Sequence, residues 1–561
     1  MIEQLKKSFI KAIEKIGIHN PKVHFEHPEN HKFGDLSTNI AMVYAKELKL
    51  FPKVLAQKII DELKNDLPDE VNSLNIAGPG FINIKLKDIF FTNKIAEFSK
   101  EKDIGKNKLD ENKKIMIEYT DPNPFKIFHI GHLMANTVGE SLSRIVEFSG
   151  AKVIRACYQG DIGLHVAKTI WAILQDGKFQ SNVKYLGDMY VIGNEKYETD
   201  ENAKKEIIKV NKKIFEKSDK EINEIYKKGR DLSLEYFDTI YKKLGTKFDN
   251  FFFESEVFED GLKIVKEFLK KGIFENSDGA VIFPGEKYGT HTRVFITKES
   301  LPTYEAKDLG LARKKFDTYP DLKESISVTA NEQDTYFKVI LAVLKEIYPD
   351  IASKTKHISH GILRPPSGKM SSRKGNIVDA EELIGEFESL VEEKLKDKKF
   401  DKKEYEEIRE TVAVSALKYT ILRQAIGGDI IYDPKKAVSF EGDSGPYLQY
   451  STVRANAVIM KAKEAGISET VKNFPEKVEF LEKLIERFPE IIKRARLEYS
   501  PHYIVTYLTE LSSAFNSYYA QYQIIDKKDS LSPYRLMLTK VFAKIMKNGL
   551  WVLGIEVPKK M

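Results

Sequence analysis

A single cysteine, Cys157, stands in a chain of 561 residues. Intrachain disulfides are thereby excluded, as is any zinc site built on cysteine, and the usage suits a reducing compartment. An excess of one charge is also missing. Against 90 basic side chains stand 84 acidic ones, for a formal net charge of +6, so the protein is not a general polycationic coat for nucleic acid. A nucleic-acid partner has to be met by local patches and by shape. No apolar run is long enough to span a bilayer. The first stretch, MIEQLKKSFIKAIEKIGI, puts Ile2, Leu5, Phe9, Ile10, Ile13 and Ile16 at helical spacing but carries Glu3 and Glu14. That pattern reads as an amphipathic helix and not as a signal or transit peptide. The expectation is a cytoplasmic protein with no membrane partner.

Apolar residues make up 42% of the chain and charged residues 31%, the balance of a folded protein, and the length calls for two to four domains. No internal repeat or low-complexity tract is found. Residues 1 to about 100 read as an α+β unit: amphipathic helices flank FGDLSTNIAM, and AGPGFINIKL is a turn into a strand with Phe81, Ile82, Ile84 and Leu86 apolar. The lysine-rich segment 101–114 reads as a linker. Beyond it the order becomes strand (KKIMIEYT), loop (DPNPFKIFHIGH), helix (LMANTVGESLSRIVEFSG), strand (AKVIRACY) and loop (QGDIG), with later strands at SISVTA and HISHGIL. Strand–helix–strand alternation predicts a parallel, doubly wound sheet. The charged stretch 201–231 has Ile207, Ile208, Ile214, Phe215, Ile222, Ile225 and Tyr226 at helical spacing, which predicts one long helix with a solvated face. From about 400 onward every segment reads helical.

Two segments carry chemistry. In PFKIFHIGHLM the histidines His129 and His132 flank Gly131 at the mouth of a helix, with Lys126 just ahead. A helix N-terminus presents unpaired N–H groups and partial positive charge, and so attracts phosphate. Gly131 leaves room for a flat ligand against the backbone, and the histidines can donate hydrogen bonds to a phosphoryl group as charge builds on it. The second segment, SGKMSSRKGN, is a glycine-bounded loop with Lys369, Arg373 and Lys374, suited to folding over a triphosphate and releasing pyrophosphate.

Taken together, HIGH followed by KMSSR resembles the two signatures of class I aminoacyl-tRNA synthetases, and nearly the whole chain resembles the arginyl members. EYTDPNPFKIFHIGHLMANTVGES, RACYQGDIGLHV, YEAKDLGLA and SFEGDSGPYLQYSTVRA are similar to that family's active-site loop, GDxG loop, amino-acid-reading helix and the start of its anticodon-binding helices. The resemblance implies a Rossmann-type catalytic domain with insertions over 101–395. It also implies an additional N-terminal α+β domain over 1–100 that touches the tRNA, and an α-helical anticodon-binding bundle over 396–561.

The implied activity is ATP- and Mg²⁺-dependent activation of L-arginine and its transfer to the 2′-hydroxyl of the terminal adenosine of tRNA(Arg), by a monomer that uses no zinc. His129, His132, Lys126 and Lys369 fall on the catalytic positions. ATP would be held by Gly131, His129, His132, Lys369, Arg373 and Lys374. Arginine would be read by Glu118, Asn123, Tyr304, Asp308 and Gln333, with Glu254 a further carboxylate. Phe81 and Asn83 match positions that read a D-loop base, and Tyr447 and Tyr450 are aromatic candidates for anticodon stacking. An arginine pocket needs carboxylates or amide oxygens arranged for a planar five-donor guanidinium. Tyr304 and Asp308, four apart on a helix, share one face.

Two positions depart from the family pattern: Ser372 replaces the second lysine of KMSKS, with Lys126 and Lys374 as substitutes, and His165 follows GDxG where glutamine is common. The alternatives are another class I synthetase or nucleotidylyltransferase, and a non-catalytic tRNA-binding paralogue.

Overall fold

The computed structural model describes residues 1–64, 66–364, 379–396, 398–468 and 470–561. The chain divides into two compact units. One comprises Met1–Ile104, Ala455–Phe488 and Ser513–Ile545; the other comprises Gly105–Arg454, Pro489–Ser512 and Met546–Met561.

In the first unit, helices α1 (Ile2–Lys15), α2 (Ile40–Tyr44), α3 (Pro52–Leu63) and α4 (Asp88–Lys100) accompany an antiparallel sheet. Its strands are β1 (Leu36–Thr38), β2 (Val71–Ala77) and β3 (Phe81–Leu86), in the order β1-β3-β2. The apolar stripe of α1 is the reason it docks: Leu5, Phe9 and Ile13 are buried against Leu36, Leu55, Ile59, Ile82 and Ile84. Asp35 ties the unit internally. One of its oxygens accepts the Leu86 N–H at 2.8 Å and the other accepts the Lys483 ammonium at 2.7 Å.

The second unit is built on a five-stranded parallel sheet: β4 (Lys114–Tyr119), β5 (Lys152–Gln159), β6 (Asn250–Phe253), β10 (Leu322–Ala330) and β11 (Thr355–His360). A small antiparallel sheet, β7 (Glu275–Ser277), β8 (Ala280–Phe283) and β9 (Arg293–Ile296), intervenes in the chain. The parallel order is β11-β10-β4-β5-β6, so the first strand lies at the centre and winding reverses between β4 and β10. In such sheets ligands bind beyond the carboxyl ends of the strands at this reversal. Ile115, Met116 and Ile117 on β4, together with Ile326 and Val328 on β10, are fully buried, as a sheet covered on both faces requires.

The helices that shape the site are α5 (Ile130–Phe148), α6 (Leu164–Asp176), α7 (Val183–Thr199), α8 (Glu201–Glu216), α9 (Lys220–Lys243), α10 (Glu254–Lys270), α11 (Tyr304–Thr318) and α12 (Asp334–Ile347). Helices follow at 380–395, 402–422, 445–464, 480–497, 502–521 and 532–552. Among the described residues no helix is long and apolar enough to cross a membrane.

Three expectations change. The charged stretch is two helices, α8 and α9, not one. Lys217 turns left-handed at φ 53°, and the Asp219 side chain caps α9 by accepting the N–H groups of Glu221 and Ile222. The lysine-rich segment is pinned and not a loose linker. Asn107 and Asp110 donate main-chain hydrogen bonds to Phe148 and Ser149, and the buried Asp110 carboxylate receives the Arg496 guanidinium. After about 400 the structure is not wholly helical, because Leu363–Arg364 pair in parallel with Ile430–Ile431.

Candidate active site

The loop leaving β4 is held in a costly conformation. Thr120, Asp121 and Phe125 all have positive φ, at 83°, 47° and 68°. None is glycine, and such backbone persists only where its surroundings over-determine it. Here the restraints are visible. Asp121 accepts the Tyr158 N–H at 2.7 Å, Thr120 accepts the Asn136 amide at 3.0 Å, and the Phe125 N–H donates to Ser233 at 3.0 Å.

The loop delivers His129 as the N-cap of α5, with His132 in the first turn. The rings stack at 3.5 Å between centroids with a 20° interplanar angle. His129 Nδ1 accepts the Gly131 N–H at 3.1 Å, and His132 Nδ1 accepts the His129 N–H at 3.2 Å. Burial, then nearby Lys126, depresses the His129 pKa to about 4. His132 lies well below the ordinary histidine value through burial and through His129 and Lys126. Both rings are therefore neutral at pH 7. With each Nδ1 used as an acceptor, the ring proton lies on Nε2, which makes each ring a donor. Gly131 is reserved by this pair, because a Cβ there would lie 2.9 Å from His129 Cε1. Lys126, its pKa lowered chiefly by burial, carries its ammonium 4.7 Å from the ring centre of Tyr190 on α7.

Beside the loop lies a cavity of about 370 Å³ at the reversal point, lined by residues from β4, β5, β10, α10, α11 and α12. Five of the six residues expected to read arginine, Glu118, Glu254, Tyr304, Asp308 and Gln333, line it. Helices α10 and α11 bring the acids together by packing backbone to backbone. A Cβ on Gly261 would fall 2.1 Å from the Ala306 carbonyl oxygen, and one on Gly310 would fall 2.3 Å from that of Val257. Asn123 does not line this cavity. It sits against Gly160 of the QGDIG loop, where a Cβ would come within 2.2 Å of its Oδ1.

Burial, followed by the neighbouring acids Glu118 and Glu254, lifts the Asp308 pKa to about 7 against one lowering hydrogen bond, from the Tyr336 hydroxyl at 2.6 Å. Burial also lifts Glu254 to about 7, although Lys307 pulls it down. Glu118 accepts from Ser327 at 2.9 Å and pairs with Lys315 at 2.8 Å.

Several residues that shape the site carry no sequence signal of their own. Lys307, Lys315, Arg293 and Tyr336 show no spacing that marks a buried partner. Asp161 of the GDxG loop is fully buried and gathers Tyr226, Arg230 and both the N–H and hydroxyl of Ser255. His165, the departure beside it, donates from Nε2 to the Gly160 carbonyl at 2.8 Å, and burial holds its pKa near 3. Its role is to brace that loop as a neutral ring.

Lys369, Arg373 and Lys374 lie outside the described residues. Phe81 opens β3 half-buried, whereas Asn83 is buried and accepts the Ser37 hydroxyl at 2.8 Å. Tyr447 and Tyr450 lie half-buried on the helix 445–464, and Arg454 lies over the Tyr450 ring at 4.7 Å. Among the described residues no cluster of His, Cys, Asp or Glu is arranged to hold a metal ion.

A reversal-point cavity, a helix mouth with paired histidine donors and a parallel sheet in this order define the catalytic domain of a class I tRNA synthetase. Residues 94–433 match the family described as tRNA synthetases class I (R), catalytic domain. Residues 3–86 match the arginyl-tRNA synthetase N-terminal domain, and residues 448–561 match the DALR anticodon-binding domain. An arginine–tRNA ligase of Borrelia hermsii is 31% identical over 98% of this chain and 96% of its own length. One from Flavobacterium psychrophilum is 29% identical over 91% and 90%. The chain belongs to the arginyl-tRNA synthetase family. Its fold is similar to that of the Thermus thermophilus arginyl-tRNA synthetase, with a TM-score of 0.80 at 23% identity and all of both chains covered. A methionyl-tRNA synthetase of Mycobacterium tuberculosis shares the fold at a TM-score of 0.51 and 13% identity, covering 79% of this chain and 91% of its own.

Proposed function

We propose that the protein is an arginine–tRNA ligase that activates L-arginine with ATP and transfers it to tRNA(Arg). The observation that carries this reading is the acid-rich cavity beside the histidine pair: a site for a cationic side chain opens next to a site for phosphate. Among its lining acids, Glu254 and Asp308 stand on helices packed through Gly261 and Gly310, and two carboxylates on one cavity offer acceptors to a group with several donors in one plane.

In this reading the arginine guanidinium meets Asp308, Glu254 and the ring of Tyr304. Its α-ammonium is held towards Glu118, Asn123 and Gln333. ATP, with Mg²⁺ on its phosphates as part of the substrate complex, lies over the mouth of α5. The arginine carboxylate oxygen attacks the α-phosphorus, the bond to the β-phosphate oxygen breaks, and pyrophosphate leaves. The Nε2–H groups of His129 and His132 donate to the oxygens on which charge develops, and Lys126 adds positive charge near them. Lys369, Arg373 and Lys374 complete the phosphate contacts. The 2′-hydroxyl of the terminal adenosine then attacks the arginyl carbonyl, and AMP leaves. No protein nucleophile is needed.

Phe81, Asn83, Tyr447 and Tyr450 are the proposed tRNA contacts. The domains are assigned as 1–100, 101–395 and 396–561, and the protein as a cytoplasmic monomer without zinc. Arginine activation is proposed to require bound tRNA. The test is arginine-dependent ATP–pyrophosphate exchange with tRNA(Arg) present. Exchange with arginine but not with lysine, glutamine or cysteine supports the reading, and exchange with a different amino acid overturns the pocket assignment.

A further inference from the structure

Five carboxylates line the cavity: Glu118, Asp121, Glu254, Glu305 and Asp308. Three face a cation. Glu118 pairs with Lys315 at 2.8 Å, Glu305 with Arg293 at 3.1 Å, and Glu254 with Lys307. Asp121 and Asp308 instead take hydrogen bonds from the Tyr158 N–H and the Tyr336 hydroxyl.

The Glu254–Lys307 pair differs from the other two in its placement. Lys307 is 3% exposed and Glu254 is also 3% exposed. Glu254 lines the cavity while Lys307 does not. The ammonium reaches Oε2 of Glu254 and lies 4.3 Å from the centre of the Tyr304 ring. Lys307 thus meets, from behind the pocket wall, the two groups that would grip a guanidinium from the front.

We propose that Lys307 is a positioning residue for amino-acid recognition: its ammonium occupies Oε2 of Glu254, favouring the carboxylate over the protonated acid, and it backs the Tyr304 ring. This rests on the arginine-ligase reading. A buried carboxylate without a cation takes up a proton in preference to holding a charge, and a protonated Glu254 would offer a donor where the guanidinium needs an acceptor. With Lys307 in place, Glu254 is balanced by an internal cation while Asp308 is held by the neutral Tyr336 hydroxyl. A planar cation with several donors can bridge both. A single ammonium satisfies one of them only.

The charged and titratable groups around Glu254 come from every neighbouring element. They are Lys307, Tyr304 and Asp308 of α11, Lys126 of the histidine loop, Tyr158 of β5, and Tyr336 of α12. Asp161 also faces it and is itself held by Arg230 and Tyr226, while His165 faces Lys307. Of these cations Lys307 is the one in contact, and it is the largest influence opposing the effect of burial on Glu254.

The experiment is arginine-dependent ATP–pyrophosphate exchange with tRNA at pH 7 and pH 9, for wild type, Lys307→Met and the double variant Glu254→Gln/Lys307→Met, each first checked by thermal melting. For Lys307→Met the KM for arginine is expected to rise at least tenfold over wild type at pH 7. That ratio should shrink to within about threefold at pH 9, where Glu254 ionises, with kcat changed little at either pH. The double variant has neither group left to titrate, so its KM should stay raised over wild type at both pH values, without the recovery at pH 9. It also leaves no unpaired buried charge, so it carries the test if the single variant fails to fold. An unchanged KM in the single variant, or a ratio identical at pH 7 and pH 9, overturns the role of Lys307. In the double variant an unchanged KM does the same. A wild-type protein without arginine-dependent exchange overturns the arginine-ligase reading and this proposal with it.

Discussion

Replacing Asp308 with asparagine removes one negative charge from the cavity while keeping the side chain's size. Asp308 sits on α11 with its Oδ2 accepting the Tyr336 hydroxyl at 2.6 Å, so a neutral donor holds the carboxylate and its charge is left for the ligand. A hydrogen bond to a charged group contributes about 1.5–3 kcal/mol, and a guanidinium meets a carboxylate through two of them. The asparagine retains one oxygen acceptor and turns its NH₂ towards the ligand's own donors. The net loss is on the order of 2–4 kcal/mol, which corresponds to a fall of about 30- to 1,000-fold in kcat/KM for arginine. The assay is aminoacylation of tRNA(Arg) over a range of arginine concentrations, with KM for ATP and Kd for tRNA measured alongside. Both of these should stay within about threefold of wild type. A fall below about threefold in kcat/KM for arginine would refute the placement of the guanidinium at Asp308.

The arginine pocket should also be pH-sensitive. Burial lifts Asp308 and Glu254 to about 7, so a proton has to leave before a cation can be bound, and affinity rises as pH rises through that value. KM for arginine should be on the order of tenfold higher at pH 6 than at pH 8; a flat profile would remove these acids from the binding step. Replacing His132 with alanine should cut aminoacylation by at least about a hundredfold through loss of one preorganised donor, with tRNA affinity by filter binding unchanged; retained activity would contradict its role. Gly160→Ala should displace Asn123, whose Oδ1 would lie 2.2 Å from the new Cβ. A drop in arginine affinity without a change in melting temperature is expected, and unaltered kinetics would show that Asn123 has no part in binding. Lys418 is buried, donates to the carbonyls of Leu244 and Gly554 at 2.7 and 2.6 Å, and has its pKa pushed down to about 8 by burial. Lys418→Met should lower stability by about 2–4 kcal/mol by leaving those carbonyls unpaired, seen as a lower Tm with intact arginine affinity per folded molecule.

Some of this was written in the sequence and some was not, for identifiable reasons. The strands KKIMIEYT and AKVIRACY are short apolar runs between turn signals; β4 falls within the first, and β5 overlaps the second and runs one residue past it to Gln159. The histidine loop announced itself because His129, Gly131 and His132 crowd one helix start. Strand β6 was not anticipated. Its four residues, NFFF, run directly into α10 and leave no turn to mark an end. The break between α8 and α9 was hidden because the apolar period continues across it, and only the capping aspartate Asp219 marks it. Tyr304 and Asp308 were legible through the resemblance of YEAKDLGLA to the family's amino-acid-reading helix, and their four-residue spacing added only that they share a face. Their counterparts Lys307, Lys315 and Tyr336 were not, since a buried lysine becomes recognisable only once the acid it faces, far away in the chain, has been placed.

The central claim is that the cavity selects arginine and that the neighbouring histidines serve its activation by ATP. Pyrophosphate exchange on the purified protein tests this most directly, run with arginine, lysine, glutamine and cysteine, with and without tRNA(Arg). The account predicts exchange with arginine alone, and only when tRNA is present. Exchange driven by another of these amino acids, or tight tRNA binding with no exchange under any condition, would contradict it.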